Sequence, residues 1–122
     1  MPKGPILLVE DDQDIQDNLR LFLELEGFSV ISAANGQEAL DLLRAGSRPS
    51  VILLDLMMPV LSGYEFLSKR KTIEFEDFLD IPVLIMSAAT GIEKTAKEFG
   101  VEFFRKPLEL DLLLTAMHKA CG

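Results

Sequence analysis

Acidic residues directly follow two apolar runs of this sequence, and their types suit metal and phosphoryl chemistry. Glu10 and Asp11 come after the run Ile6–Val9, and Asp55 comes after Val51–Leu54. Carboxylate oxygens are the ligands that Mg²⁺ prefers in proteins. An aspartate can also attack phosphorus and form an acyl phosphate, and a cation would then neutralise the charge of the incoming group. The three acids therefore define a candidate site, provided that the fold brings them together.

The two apolar runs belong to a regular alternation of strand and helix patterns. Five short apolar runs predict strands, and these are Ile6–Val9, Phe28–Ala33, Val51–Leu54, Ile81–Met86 and Val101–Phe104. Apolar residues recur at helical spacing after each run; Asn35 caps the second helix and Pro107 is expected to open the last. The least regular stretch is 71–80, where Ile73 is an uncertain member of the third helix.

The alternation predicts an α/β fold of the flavodoxin-like, doubly wound (βα)5 type. Right-handed crossovers place helices on both faces of a five-stranded parallel sheet, and five strands suit the order 2-1-3-4-5. In that order the topological switch point lies between strands one and three, where ligands bind at the carboxyl ends. Glu10, Asp11 and Asp55 lie at those ends. A length of 122 residues without a linker-like stretch predicts one domain spanning 1–122.

The composition excludes several other classes of protein. With 48% hydrophobic and 26% charged residues, the chain is neither disordered in composition nor membrane-like. Its net charge of -8 opposes direct binding to nucleic acid or to an anionic membrane surface, so proteins and cations are the expected partners. The lone Cys121 can form no internal disulfide, and no apolar stretch near the first residues is long enough for a signal segment. These features predict a cytoplasmic protein.

Three motifs resemble those of the receiver domain of two-component response regulators, the CheY-like family. They are Leu8-Val9-Glu10-Asp11-Asp12, Asp55-Leu56-Met57-Met58-Pro59 followed by Gly63, and Lys106-Pro107. Each string alone is weak evidence, but the three occur in the family's order at the ends of predicted strands one, three and five. The resemblance covers the chain from end to end.

The resemblance implies a role for each residue of the candidate site. Asp55 is the expected phosphoacceptor, and Lys106 is expected to contact the phosphoryl group. The expected ligands of Mg²⁺, with Mn²⁺ as an alternative ion, are Glu10, Asp11, Asp55 and the backbone carbonyl of Met57. Glu10 would reach the metal directly or through a metal-bound water, and the sequence leaves both arrangements open.

Two further residues stand at the positions of the family's conformational switch. Ser87, at the end of strand four, is expected to bond the phosphoryl group in the active state. Phe103 stands where the family carries an aromatic side chain that turns inward when the serine moves. An ordinary core phenylalanine is the alternative for Phe103, because Phe104 could be the inward residue. The alternation of strand five decides between them.

The function that the resemblance implies is that of a response regulator receiver. Asp55 would accept a phosphoryl group from a histidine kinase or phosphotransfer protein in a Mg²⁺-dependent reaction, and the domain would then switch conformation to control a downstream protein or output domain. Such a domain is not an enzyme but a regulatory phosphoacceptor that assists its own phosphorylation and dephosphorylation. The alternative is a binding scaffold that keeps the fold and works without phosphorylation. A stand-alone receiver and a fragment of a longer regulator or hybrid kinase both fit the sequence.

Two positions near the motifs carry side chains that cannot orient water. Met57 lies two residues after Asp55, and Ala89 lies two residues after Ser87. Neither side chain can hydrogen-bond a hydrolytic water effectively. The sequence therefore predicts slow self-dephosphorylation.

The last predicted helix carries more apolar surface than one buried face requires. Its two apolar stripes are Leu110, Leu113, Leu114 and Met117, and Leu108, Leu112, Ala116 and Ala120. One interpretation is a homodimer contact through this helix. The other is deep burial of the helix within its own domain.

Overall fold

A computed structural model describes residues 4–121, except for the side chains of Ile73 and Phe75. The strands are β1 (Ile6–Val9), β2 (Val30–Ala33), β3 (Val51–Asp55), β4 (Val83–Ser87) and β5 (Glu102–Arg105). The α-helices are α1 (Gln13–Leu25), α2 (Gly36–Arg44), α3 (Gly63–Lys69), α4 (Ile92–Phe99) and α5 (Leu110–Cys121), and a 3₁₀ helix (Ile73–Phe78) precedes β4. No helix in this described part of the chain is long and apolar enough to cross a membrane.

The five strands form one parallel sheet in the order β2-β1-β3-β4-β5, so the flavodoxin-like, doubly wound prediction is confirmed. Val9 lies opposite Leu54 in the register of β1 and β3. Asp55 lies opposite Met86 in the register of β3 and β4. This register brings the residue that follows β1 and the residue that ends β3 to the same edge of the sheet. The predicted domain limits, residues 1 and 122, lie outside the described residues.

Two apolar cores cover the two faces of the sheet. The strands β1, β3 and β4 are buried along their whole length, which explains why they stand in the sequence as continuous apolar runs. Helices α2, α3 and α4 pack on one face, where Leu40, Phe66 and Ile92 are buried. Helices α1 and α5 pack on the other face, where Leu23 and Met117 are buried. Each such side chain stabilises the fold by about 1.5–3 kcal/mol.

Polar caps begin the two helices that follow β1 and β2. The Asp12 side chain accepts hydrogen bonds from the backbone amides of Asp14 and Ile15 at the start of α1. The Asn35 side chain accepts one from the amide of Glu38 at the start of α2, as predicted. A cap of this kind contributes about 1 kcal/mol. Asp12 therefore serves the helix, while its neighbours remain available to the site.

The last helix begins later than the sequence predicts. Pro107 does not open α5 but lies in a loop, joined to Lys106 by a cis peptide bond. The amide of Lys106 still bonds the Ser87 carbonyl oxygen at the end of β4, so the chain needs further residues to turn away from the sheet. The Leu113 amide bonds the Glu109 carbonyl oxygen, which marks Glu109 as the residue before the first helical turn.

Three strands, β2, β4 and β5, begin later than their apolar runs suggest. The β5 strand begins at Glu102 because the Val101 amide bonds the Ala96 carbonyl oxygen of α4. The Phe28 amide bonds the Leu23 carbonyl oxygen at the end of α1, so residue 28 belongs to the helix terminus. The Ile81 amide bonds the Phe78 carbonyl oxygen of the 3₁₀ helix and is unavailable to the sheet. Ile73, the uncertain member of the third helix, begins the 3₁₀ helix instead. The apolar character of Phe28 and Ile81 reflects packing against the cores rather than strand pairing.

Candidate functional site

Three carboxylates converge at the edge of the sheet where β1 and β3 end. Glu10 and Asp11 follow β1, and Asp55 is the last residue of β3. One oxygen from each side chain lies within 4.8 Å of the corresponding oxygens of the other two. Glu10 is 1% and Asp55 is 4% exposed, whereas Asp11 is exposed. The topology thus brings together the three acids that the sequence singles out.

The ammonium group of Lys106 faces both buried acids. Its Nζ atom lies 2.9 Å from Glu10 Oε1 and 3.4 Å from Asp55 Oδ2. The Lys106 amide donates to the Ser87 carbonyl oxygen at 3.1 Å, which fixes the lysine beside the end of β4. The lysine that is expected to contact a phosphoryl group therefore lies beside the expected phosphoacceptor.

Backbone amides hold the two buried carboxylates in place. The Asp12 amide donates to Glu10 Oε2 at 3.3 Å. The Met57 amide donates to Asp55 Oδ1 at 3.2 Å. Each acid therefore has one oxygen bonded to the backbone of its own loop and the other directed toward Lys106.

Gly63 allows α3 to begin directly against the end of β3. A Cβ atom at this position would lie 2.5 Å from the Asp55 carbonyl oxygen and 2.7 Å from Leu56 Cα. The Gly63 amide also donates to the Leu56 carbonyl oxygen at 3.1 Å. A larger residue would push the loop after Asp55 away from the helix, which gives a packing reason for the glycine that follows the second motif.

Burial has the largest influence on the pKa values of Glu10 and Lys106 at the centre of the site. It raises the pKa of Glu10, and the hydrogen bond and negative charge of Asp55 raise it further, while Lys106 lowers it. Burial alone would lower the pKa of Lys106. The hydrogen bond to Glu10 and the charges of Asp55 and Glu10 outweigh burial and raise the pKa of Lys106. The lysine therefore stays protonated beside the acids.

The acidic cluster could hold a metal ion. It is the one group of at least three His, Cys, Asp or Glu side chains found within metal-binding reach among the described residues. Its donors are hard carboxylate oxygens, which suit Mg²⁺ better than a softer transition metal. Three carboxylates also outnumber the ammonium of Lys106, which contacts two of them, so a divalent cation would balance the excess charge.

An open cavity of about 520 Å³ lies over the cluster. Ser87, the last residue of β4, lines this cavity together with Met57 and Ala89. The Ser87 hydroxyl accepts a hydrogen bond from the Ala89 amide at 3.0 Å. The serine expected to bond a phosphoryl group, and the two side chains that cannot orient water, thus border the same space as Asp55.

Phe103 lies apart from the acidic cluster. It is 37% exposed and borders a groove beside Ala96 of α4. Phe104 packs instead against the core on the side of α1 and α5. The Arg105 guanidinium lies 5.9 Å from the centre of the Phe103 ring. Phe103 is therefore the more exposed of the two phenylalanines. Its role as a switch stays a prediction.

Gln16 also lies beside the acidic cluster, although its residue type gives no indication of this position. A glutamine on an amphipathic helix is usually exposed to solvent, yet Gln16 is 8% exposed. Its side-chain amide donates to the carbonyl oxygens of Glu10 at 3.0 Å and Ala33 at 3.2 Å. Its spacing of three and seven residues from Leu19 and Leu23 is the sequence signal that places it on the buried face.

A doubly wound sheet that carries acids and a lysine at its switch point has its polar site where folds of this class bind ligands. The family model for the response regulator receiver domain matches residues 6–118 of this chain. The chain therefore belongs to the response regulator receiver domain family.

Individual relatives agree with this assignment. The chain is 37% identical to the transcriptional regulatory protein YkoG of Bacillus subtilis, over 98% of this chain and 52% of YkoG. It is 36% identical to the cell cycle response regulator CtrA of Brucella ovis, over 93% of this chain and 48% of CtrA. The Saccharomyces cerevisiae Ssk1 receiver domain, solved with the histidine phosphotransfer protein Ypd1, matches with a TM-score of 0.85 at 27% identity, over 98% of this chain and 90% of that one. The chain thus spans about half the length of the curated relatives it matches.

Removing the Lys106 charge tests the electrostatics of the cluster. Because the ammonium lowers the pKa of Glu10, Lys106→Met is expected to raise that pKa further in metal-free buffer. An acid whose folded pKa is raised loses stability as pH rises above its ordinary pKa of 4.5. As the pH rises above 4.5, the free energy of unfolding of the variant should therefore fall by at least about 1 kcal/mol more than that of the parent.

The pKa is measured from the side-chain carboxyl carbon of Glu10 by NMR, and stability by urea unfolding at several pH values. Lys119→Met is the control, since Lys119 is an exposed lysine near the end of α5. An unchanged Glu10 pKa in Lys106→Met would contradict the charge balance described above.

Proposed function

We propose that the domain accepts a phosphoryl group on Asp55 and thereby switches a downstream protein or an output domain. The observation that carries this proposal is the Lys106 ammonium, 3.4 Å from the Asp55 carboxylate in a cavity lined by acids. An ammonium in that position can contact the oxygens of an incoming phosphoryl group. Membership of the receiver family supports the same role.

The Asp55 carboxylate is the proposed nucleophile. One of its oxygens forms a bond to phosphorus while the bond between phosphorus and the imidazole nitrogen of a phosphohistidine breaks, and the nitrogen keeps the electron pair. The Met57 amide, which donates to Asp55 Oδ1, orients the carboxylate for this attack. Lys106 donates to the phosphoryl oxygens and neutralises part of the negative charge in the transition state.

The proposed cofactor is Mg²⁺, with Mn²⁺ as an alternative. Its proposed ligands are Asp11, Asp55, the backbone carbonyl of Met57, and Glu10 either directly or through a water. When bound, the ion would neutralise negative charge on the acids and on the incoming phosphoryl group. The acids alone would repel an anionic phosphodonor, so the need for a cation follows from the charge of the site.

Ser87 and Phe103 are the proposed switch. The Ser87 hydroxyl borders the cavity that contains Asp55 and would donate to a phosphoryl oxygen. That contact would draw the loop between β4 and α4 toward the acids. Phe103, which is partly exposed, would then turn toward the space that the loop leaves.

The proposed phosphodonor is a histidine kinase or a histidine phosphotransfer protein. The Ssk1 receiver, a structural neighbour, was solved with a protein of the second kind. An apolar groove of about 580 Å³ borders α1 and the loop after β5, and Lys106 lines both this groove and the cavity over Asp55. A donor that packs on Phe22 and Leu108 in the groove would bring its phosphohistidine next to Asp55.

A homodimer through α5 is a further proposal for the output side. Leu110 and Leu112 are exposed, while Leu113 and Met117 are buried. The helix thus serves the core of its own domain and still offers apolar surface to solvent. A second copy or an output domain could cover that surface.

The proposed role is regulatory rather than enzymatic. The domain would assist its own phosphorylation and dephosphorylation and would turn over no separate substrate.

A scaffold that works without phosphorylation is not favoured, because the groups needed for phosphoryl transfer border one cavity: Asp11, Asp55, Ser87 and Lys106. The proposed location is the cytoplasm. Residues 1–122 are proposed to form one receiver domain.

Intact mass spectrometry tests the proposal. Incubation with a small phosphodonor and Mg²⁺ is expected to add one phosphoryl group, and Asp55→Asn or a chelator should abolish the adduct. Asp12→Asn is the matched control, since Asp12 caps α1 and is expected to leave phosphorylation intact. An adduct that persists in Asp55→Asn, or no adduct with several donors or a kinase, would contradict the proposal.

The apolar residues beside Asp55 generate a prediction about the lifetime of the phosphoryl group. Met57→Asn or Ala89→Glu would place a side chain able to hydrogen-bond water in the cavity over Asp55. Each variant is expected to shorten the lifetime by about tenfold or more, because a positioned water attacks phosphorus faster. Loss of the adduct is followed by mass, with Met57→Leu as the control. Unchanged lifetimes with metal binding intact would show that these positions do not limit hydrolysis.

A further inference from the structure

Gln16 is a buried polar side chain that the proposed chemistry does not use directly. Its Nε2 atom donates to the Glu10 carbonyl oxygen at 3.0 Å and to the Ala33 carbonyl oxygen at 3.2 Å. Its Oε1 atom accepts a hydrogen bond from Gln13 Nε2 at 3.3 Å. Both ends of the amide are therefore hydrogen-bonded.

The two carbonyl groups that Gln16 bonds lie where β1 leaves the sheet. Ala33 is the last residue of β2, and its carbonyl oxygen also accepts the Glu10 amide at 3.1 Å. Beyond this point the β1–β2 ladder ends, and the Gln16 side chain supplies a donor to the Glu10 carbonyl. The backbone amide of Gln16 donates to the Asp12 carbonyl oxygen at 2.9 Å. Gln16 therefore bonds both ends of the turn, one through its side chain and the other through its backbone.

The turn that Gln16 holds carries two of the three acids of the cluster. Glu10 and Asp11 lie on it, and both are repelled by Asp55 on β3. A turn free to move would relieve that repulsion by drawing its carboxylates away from Asp55. The hydrogen bonds of Gln16 oppose this movement by fixing the Glu10 backbone to the end of β2.

We propose that Gln16 is a positioning residue for the acidic cluster, which keeps Glu10 and Asp11 at the spacing that one divalent cation needs. The inference rests on the proposed function, because it assumes that the three acids bind a cation together. Residues that orient metal ligands without touching the metal commonly change metal affinity by 10–100-fold when they are replaced. A loss of about tenfold is expected on replacement of Gln16.

A purely structural role for Gln16 predicts a different result. In that case the side chain only attaches α1 to the sheet, and its loss lowers stability without changing the metal affinity of the molecules that remain folded. Comparison with another buried residue of the same helix separates the two roles. Leu23 is fully buried on α1 and lies two helical turns beyond Gln16, away from the acids.

The experiment measures Mg²⁺ affinity by calorimetry on the unphosphorylated chain and stability by urea unfolding. Gln16→Met keeps the length of the side chain but removes both donors, and Gln16→Asn draws the amide back by one methylene group. Gln16→Met is expected to bind Mg²⁺ about tenfold more weakly than the parent, and Gln16→Asn should show a smaller loss. Leu23→Ala is expected to lower stability at least as much and to keep its affinity within about twofold.

Each other outcome overturns the inference in a recognisable way. Parent-like Mg²⁺ affinity in Gln16→Met, or in Gln16→Asn if the first variant does not fold, assigns Gln16 to stability alone. An equal loss of affinity in Leu23→Ala assigns the effect to general loosening of α1. A parent chain that binds no Mg²⁺ overturns the proposed function and this inference together, whereas binding by the parent with unaffected Gln16 variants overturns this inference only.

Discussion

Two buried carboxylates share one ammonium at the end of a parallel sheet, and the properties of the site depend on how these charges balance. Glu10 and Asp55 lie 2.9 Å and 3.4 Å from the Lys106 nitrogen, with Asp11 on the exposed side of the same cluster. Removing charged groups from water is unfavourable unless they are paired. One lysine pairs with two of the acids but cannot neutralise three. The excess of negative charge makes the cluster suitable for a cation, which is the basis of the proposed metal site.

The fold keeps these charges close despite their repulsion. The register of β1 and β3 places Val9 opposite Leu54, so the acids that follow these two residues begin at neighbouring positions on the same edge of the sheet. Gly63 lets α3 begin against the Asp55 carbonyl, and the Gln16 amide ties the Glu10 carbonyl to the end of β2. Apolar cores on both faces of the sheet stabilise the fold, and this stabilisation outweighs the repulsion between the acids.

The sheet could be predicted from the sequence because a strand covered on both faces must be apolar throughout, as Ile6–Val9 and Val51–Leu54 are. The strand order and the meeting of the acids then followed from topology. Boundaries set by one hydrogen bond could not be predicted: Ile81 is apolar, but its amide bonds the preceding 3₁₀ helix. Pro107 suits the start of a helix, yet residue 106 still bonds β4. The role of Gln16 depends on which carbonyl groups its side chain reaches, and no sequence pattern specifies that.

The central claim is that Glu10, Asp11 and Asp55 act together as one cation site. NMR with small amounts of paramagnetic Mn²⁺ tests it most directly, because line broadening falls steeply with distance from the ion and reports its position in the folded domain. The amide signals of Asp11, Asp55 and Met57 should broaden first, and excess Mg²⁺ should restore them. Broadening that begins elsewhere, for example at the exposed acids Glu76 and Asp77 of the 3₁₀ helix, or that spreads evenly over the acidic surface, would contradict the claim.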